Sequence, residues 1–301
     1  MYLGAHVSIA ENIALAPERG QTVGAEAIQI FSRSPRMLRK TKPLTSEETQ
    51  GFRENLVKHD IARAIIHANY LINLGAPDEN TINYSRVAFV EELERAQALG
   101  VHDVIFHPGS HGGKGDEYAI QTTASSLDWA IEHAEAPDVF ADLENMAGQG
   151  NVIGHKFEQL ADVIKASAHP ERLGLCIDTC HTFAAGYDFR ARDGYDRLMD
   201  NVDRTVGLQR VRAFHLNDSR GDLGSRWDRH EDIGKGKLGK PAFGFLVNDN
   251  RFREIPGCLE FPGEYEGYKE NLKTLRSLVR GPDAPTSKKG PGGKRGGRGT
   301  S

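Results

Sequence analysis

Along most of the chain, short apolar runs alternate with longer stretches in which apolar residues return every three or four positions. The first pattern predicts β-strands and the second amphipathic helices. Strands are expected at 2–8, 25–32, 62–70, 101–109, 138–145, 173–181, 211–219 and 256–262. In SRVAFVEELERAQALG, Val87, Val90, Leu93 and Ala96 or Gln97 follow helical spacing, which predicts the core-facing side of a helix that Gly100 ends. Thr45 with Glu48 three residues later predicts a capping box opening another helix. Strand and helix alternating eight times over roughly 250 residues is the pattern of an α/β (β/α)8 TIM barrel, with a doubly wound open sheet as the alternative. No G-x-G-x-x-G follows the first strand, which counts against the dinucleotide-binding form of that alternative. A single domain is expected over residues 1–279.

Polar residues interrupt this pattern at equivalent places. The expected strands three to eight finish their apolar runs on His67, His107, Glu144, Asp178, His215 and Glu260, at intervals of 34–45 residues. All strands of a barrel point the same way, so these side chains would converge on the C-terminal rim, where barrel active sites are built. Three carboxylates and three imidazoles pressed together without a cation would suffer like-charge and desolvation costs. In LGLCIDTCHTFAAGYD, His181 follows Asp178 by three residues. Asp228 and His230 lie two apart in the polar loop 218–240, a spacing that points both the same way in extended chain. These nine candidate ligands exceed what one ion of coordination number four to six can use. A cluster of two or three metals is expected, with one carboxylate bridging. The imidazole share favours zinc, with manganese or iron as alternatives. Cys176 and Cys180 flank Asp178 and could in principle ligate, but both are expected to be buried structural thiols. His6, ending the first strand, is a candidate for bonding a substrate or a ligand; His59, His102, His111, His133, His155 and His169 are read as solvated.

The 301 residues are 38 % hydrophobic, enough for a sizeable core, and three cysteines do not suggest a disulfide framework. No apolar segment approaches bilayer-spanning length and the N-terminus lacks a signal-peptide pattern, so a cytoplasmic location without membrane contact is expected. The net charge of −4 hides an asymmetry: residues 280–301 hold six Lys/Arg against one Asp. That tail, RGPDAPTSKKGPGGKRGGRGTS, is too polar and too rich in Gly and Pro to form a core. It is expected to be disordered, either as a solubilising terminus or as a weak nucleic-acid-binding arm.

The motifs FHPGSH, DLENMAGQGNVIG, LCIDTCHTFAAGYD, FHLNDSRGDLGSRWDRHEDIGKG and LEFPGEYEGY, in this order, closely resemble endonuclease IV, the zinc-dependent apurinic/apyrimidinic endonuclease family of base-excision repair. The resemblance runs from YLGAHVS to about Val279. It implies a TIM barrel holding three Zn2+ that cuts double-stranded DNA immediately 5′ of an abasic site, leaving a 3′-hydroxyl and a 5′-deoxyribose phosphate. A monomer with no protein partner is also implied. By motif, His67, His107 and Glu144 would hold the first zinc. Glu144 would bridge to a second completed by Asp178, His215 and Glu260, while His181, Asp228 and His230 would hold the third. The resemblance makes Glu144 and Glu260 the catalytic residues, with a hydroxide between the first two ions as nucleophile. SRSPRMLRK and HANYLINL resemble the family's DNA-inserting loops, implicating Arg36, Tyr70 and Leu71. Two departures are visible: HVSIAEN lacks a glycine pair after its serine, and Phe261 stands where a small polar residue is common. A metal-dependent sugar isomerase or epimerase of the same barrel superfamily would use Glu144, Asp178, His215 and Glu260 but leave the other five ligands unexplained. A non-catalytic DNA-binding protein would explain none of the nine.

Overall fold

In the computed structural model, which describes residues 1–34, 42–260 and 265–280, ten strands form in chain order. They are β1 (Tyr2–His6), β2 (Ala27–Phe31), β3 (Arg63–His67), β4 (Asp103–Phe106), β5 (Phe140–Glu144), β6 (Leu173–Asp178), β7 (Val211–His215), β8 (Asp218–Ser219), β9 (His230–Glu231) and β10 (Pro256–Leu259). All but β8 and β9 are parallel and close into a barrel in the order β1, β10, β7, β6, β5, β4, β3, β2. The fold is a (β/α)8 barrel. Its helices are α1 (Ala16–Val23), α2 (Ser46–Lys58), α3 (Glu79–Leu99), α4 (Asp116–His133), α5 (Phe157–Ala166), α6 (Thr179–Ala184), α7 (Arg192–Thr205), α8 (Lys240–Val247) and α9 (Tyr265–Leu278). Arg36, Phe261 and residues 281–301 of the basic tail lie outside the described residues.

Each of the eight expected barrel strands forms, but shorter than the apolar run that announced it. In β3 to β7 and β10 the ladder stops at or next to the first candidate ligand. Alternation divides the side chains between two cores. Ala27, Ile65, Ile105, Cys176, Ala213 and Cys258 fill the barrel interior. The opposite faces, including Ile28, Ile30, Ile66 and Phe106, pack under the helices, where Phe106 meets Phe89 of α3 at 4.9 Å between ring centroids. All three cysteines are buried and unpaired, and burial pushes the thiols of Cys176 and Cys180 up to about 12.

Helix boundaries follow local chemistry. The Thr45 hydroxyl accepts from the Glu48 N–H at 3.2 Å while Glu48 accepts from the Thr45 N–H at 2.8 Å, forming the expected capping box. Gly100 ends α3 in the left-handed region at φ 72°. On α3 the expected Leu93 and Ala96 are buried and Val90 is partly buried, joined by Ile82, Phe89 and Leu99, whereas Val87 is 52 % exposed. The period is right, and the departure is confined to Val87, at the edge of a stripe centred on Phe89, Leu93 and Ala96. Glu92 occupies the centre of the buried face, accepting from Ser32 Oγ at 2.5 Å and Arg33 Nε at 2.9 Å, so the true stripe carries a charge that apolar pattern-matching rejects. His59, expected to be solvated, is buried at the end of α2 with Nδ1 2.6 Å from Gln21 Oε1. Among the described residues no helix is long and apolar enough to cross a membrane.

Candidate metal centre

The strand ends assemble the site. His67, Glu144, Asp178 and His215 are the last residues of β3, β5, β6 and β7, while His107 and Glu260 directly follow β4 and β10. Register fixes several of them across the sheet: Asp178 pairs with His215, and His67 with Phe31. His181 lies in the first turn of α6, whose N-cap is Asp178; its carboxylate accepts from the His181 N–H at 2.6 Å. Asp228 and His230 come from the long loop after β7, His230 lying on the β8–β9 hairpin, where it pairs with Ser219. The structure brings all nine candidate ligands into one neighbourhood.

Glu144 stands at its centre, 1 % exposed. Its Oε2 lies 3.2 Å from His67 Nε2 and 3.3 Å from His107 Nε2; its Oε1 lies 3.0 Å from His215 Nδ1. One carboxylate therefore presents an oxygen to each of two donor sets. His67, His107 and Glu144 form one set, and Glu144, Asp178, His215 and Glu260 another, each with its donor atoms within 4.8 Å of one another. Outward from these, His181 Nε2 and His230 Nε2 each lie 3.2 Å from an Asp228 oxygen. Asp178, His181 and His230 also come within 4.8 Å mutually, as do Cys180, Asp228 and His230, so Asp178 and Cys180 border the outer set. The Cys180 Sγ points at the Arg229 carbonyl, 3.6 Å away.

The imidazole orientations can be deduced, because a carbonyl only accepts. His67 Nδ1–H donates to Ala68 O at 2.7 Å, His181 Nδ1–H to Asn145 O at 2.9 Å, and His230 Nδ1–H to Glu260 O. His215 is reversed: its Nε2 meets Gln29 Oε1 at 2.8 Å, leaving Nδ1 for the centre. Each ring thus turns its other nitrogen inward as a lone pair, the arrangement that outer hydrogen bonds give metal-binding histidines. His181 Nε2 and His230 Nε2 are buried without a hydrogen-bond partner. A lone pair facing a carboxylate at this distance requires a cation or proton between them. Imidazole and carboxylate donors in sets of three and four fit zinc.

Electrostatics agrees with the geometry. Burial opposes every charge here, yet His215 and the other surrounding imidazoles outweigh it and hold Glu144 well below the usual carboxylate range. Burial likewise opposes charge on Asp228, but His181 and His230 pull it down. Despite burial, Asp178 raises His181 and Asp228 raises His230, the latter to about 9. Asp178 itself is lifted, burial prevailing over its imidazole neighbours. The site draws positive charge inward, and protons compete with metal for it. Burial lowers His6 to about 4, keeping that ring neutral.

Sequence reasoning missed the residues that hold the ligands in place. Asn217 Nδ2 donates to Asp178 Oδ2 at 2.7 Å while its Oδ1 accepts from the Glu260 N–H at 2.8 Å. Asn145 Oδ1 accepts from the Asp178 N–H at 2.8 Å. Both asparagines follow a ligand by one or two residues, and that adjacency was the available signal. Tyr70 and Leu71 stand on the rim, 53 % and 48 % exposed, with the Tyr70 ring 5.0 Å from that of His67. A cleft of about 450 Å³ opens above the ligands, lined by Phe31, Tyr70, Arg220, Arg229 and Tyr268 together with His6, Asp228, His230 and Glu260.

A parallel barrel with adjoining sets of candidate metal ligands at its C-terminal rim defines a class, and comparison with known proteins narrows it. The sequence profile of the xylose isomerase-like TIM barrel family matches residues 17–278. A probable endonuclease 4 of Geobacter sulfurreducens is 47 % identical over 281 residues, 93 % of this chain and 95 % of that protein. The crystal structure of endonuclease IV from Thermus thermophilus superposes with a TM-score of 0.82 at 37 % identity, covering 92 % of this chain and 98 % of that one. A D-psicose 3-epimerase from Clostridium cellulolyticum H10 shares the fold at a TM-score of 0.64 but only 13 % identity, covering 92 % and 98 % of the two chains. The chain belongs to the endonuclease IV family.

Proposed function

We propose that this protein is a zinc-dependent endonuclease of DNA repair that hydrolyses the phosphodiester 5′ of an abasic site in duplex DNA, leaving a 3′-hydroxyl and a 5′-deoxyribose phosphate. The observation that carries the reading is the Glu144 carboxylate lying between two donor sets, with a third set beside them. His67, His107 and Glu144 would hold one ion. Glu144, Asp178, His215 and Glu260 would hold a second, and His181, Asp228 and His230 a third. When bound, zinc supplies Lewis acidity, lowering the pKa of water towards about 7 and offsetting phosphate charge.

The chain's own groups supply position. Glu144 and Glu260 are the proposed catalytic carboxylates, Glu144 fixing the spacing of the first two donor sets. With these nine side chains engaged, the cleft needs no serine or lysine nucleophile. Tyr70 and Leu71, already protruding, are assigned to the DNA at the lesion, where unstacking costs least. Arg36 is proposed for the same task. The net charge of residues 281–301 makes them a candidate electrostatic arm; their removal is expected to flatten the dependence of log K on log salt by roughly 0.9 for each phosphate they would otherwise neutralise.

Metal analysis and incision of an abasic duplex, each with and without chelator, test the reading. About three zinc per chain and chelator-sensitive nicking are expected. A reproducible single metal together with ketose–aldose interconversion would replace it with the sugar isomerase reading.

A further inference from the structure

β1 and β2 supply none of the nine ligands, yet β2 places Gln29 inside the barrel at the level of the site. Its Cα pairs with His6 on one side and Ile65 on the other, and its side chain is fully buried. We infer that Gln29 is a positioning residue for the second donor set, aiming His215 and Glu260 at one point.

A primary amide has an acceptor end and a donor end, and here both are used. Oε1 faces His215 Nε2 at 2.8 Å. Nε2 donates to Glu260 Oε1 and lies 3.0 Å from His6 Nδ1. The orientation is determined by its partners. Inverted, the amide would set its oxygen against the Glu260 carboxylate, acceptor against acceptor, whereas an ionised carboxylate requires the N–H2 end. With Oε1 accepting, the His215 proton resides on Nε2 and the Nδ1 lone pair faces Glu144 Oε1 and Glu260 Oε2, each 3.0 Å away. The second Gln29 bond ties up the remaining Glu260 oxygen, so that Oε2 is the one turned to His215. A single side chain from a ligand-free strand thereby selects a tautomer and a carboxylate rotamer together. His6 completes the chain as an acceptor, since a neutral ring with Nδ1 unprotonated suits the second amide hydrogen.

This inference rests on the metal-dependent reading above, and its test separates the two. Zinc release would be followed with a chromophoric chelator in wild type and in Gln29→Met, which keeps the volume and removes both bonds. The expected result is three zinc equivalents in wild type and selective weakening of one in the variant, by about 10–100-fold, with the other two unchanged. Gln29→Glu, which keeps the acceptor for His215 but opposes Glu260 with an oxygen, should weaken the same single equivalent. Wild-type release in both variants overturns the inference, as does equal loss of all three, which would mark a general packing role. Wild type lacking zinc would instead overturn the metal-dependent reading. Nitrogen NMR of His215 in the unsubstituted zinc-loaded protein gives a readout independent of folding in the variants. A proton on Nε2 is expected, and a proton on Nδ1 would sink the inference.

Discussion

The inner and outer candidate ligands are held by different kinds of structure. His67, His107, Glu144, Asp178, His215 and Glu260 sit at strand ends, where hydrogen-bonded register fixes each relative to its neighbours. His181, Asp228 and His230 sit on a six-residue helix and a loop. The outer group is built on the inner one: Asp178 caps the helix carrying His181, and the Glu260 carbonyl accepts from His230. Disruption should therefore spread outward more readily than inward.

The largest effect is expected at Glu144. Glu144→Ala removes a carboxylate shared by two donor sets and leaves several buried imidazoles without their main partner. Zinc content should fall from about three to one or fewer, and incision by roughly 10³-fold, a loss of several kcal/mol of transition-state stabilisation. Near-normal activity would show that the carboxylate does not bridge.

The converse probe is Asp218. This buried carboxylate gathers the loop: Oδ1 accepts from the N–H groups of Ser219, Leu238 and Gly239 at 2.8, 3.0 and 3.3 Å, and Oδ2 from Gly234 and Gly239 at 2.8 and 3.2 Å. Gly236 packs so closely that a Cβ there would collide with Oδ1. Asp218→Ala would orphan these donors at a cost of about 1–3 kcal/mol each where they stay buried, loosening Asp228 and His230. One zinc of three should be lost, with activity down roughly 10–100-fold. Loss of the inner zincs as well would break the proposed direction of dependence.

The inner group was legible in the sequence and the scaffolding of the outer one was not, for a physical reason. A polar residue ending an apolar run violates strand periodicity, and His67, Glu144, Asp178 and His215 announce themselves this way. Asp218 works through backbone N–H groups, which leave no residue-type pattern to read. Gln29 does violate the pattern, inside AIQIF, but an amide is not a metal ligand and so does not point to the site. Glu92 shows the same blindness from the other side: it is buried because Ser32 and Arg33 satisfy it, and those partners are about 60 residues away in sequence, beyond any local window.

Tyr70 and Leu71 belong to neither group and provide a control on both. Their side chains stand on the rim, so replacing the pair with Ala should weaken binding to abasic duplex by roughly 10–100-fold, as expected when one or two bases are no longer stacked upon. All three zincs should remain. Loss of zinc would mean that the Tyr70 ring, 5.0 Å from His67, supports the cluster and does not serve the DNA.

The smallest effect concerns protons and reads the outer group by itself. Burial disfavours the His230 imidazolium, but the Asp228 carboxylate 3.2 Å away prevails and lifts it from 6.5 to about 9. A raised folded-state value means that protonation stabilises the metal-free fold. That contribution is fully present below about pH 6.5 and is lost as pH rises through about 9. Zinc competes for the same lone pair, so the affinity of the outer set should climb with pH across this window, by up to about tenfold per unit for one displaced proton, and level off above it. His181, also raised, can steepen the climb. Zinc titrations of apoprotein between about pH 6.5 and 9.5 would show it, alongside thermal melts in which the zinc-dependent gain in Tm widens as pH rises. In His230→Ala the His230 contribution to that slope should disappear. If the slope survives unchanged, the proton being displaced resides elsewhere, and the assignment of His230 Nε2 as an outer ligand fails with it.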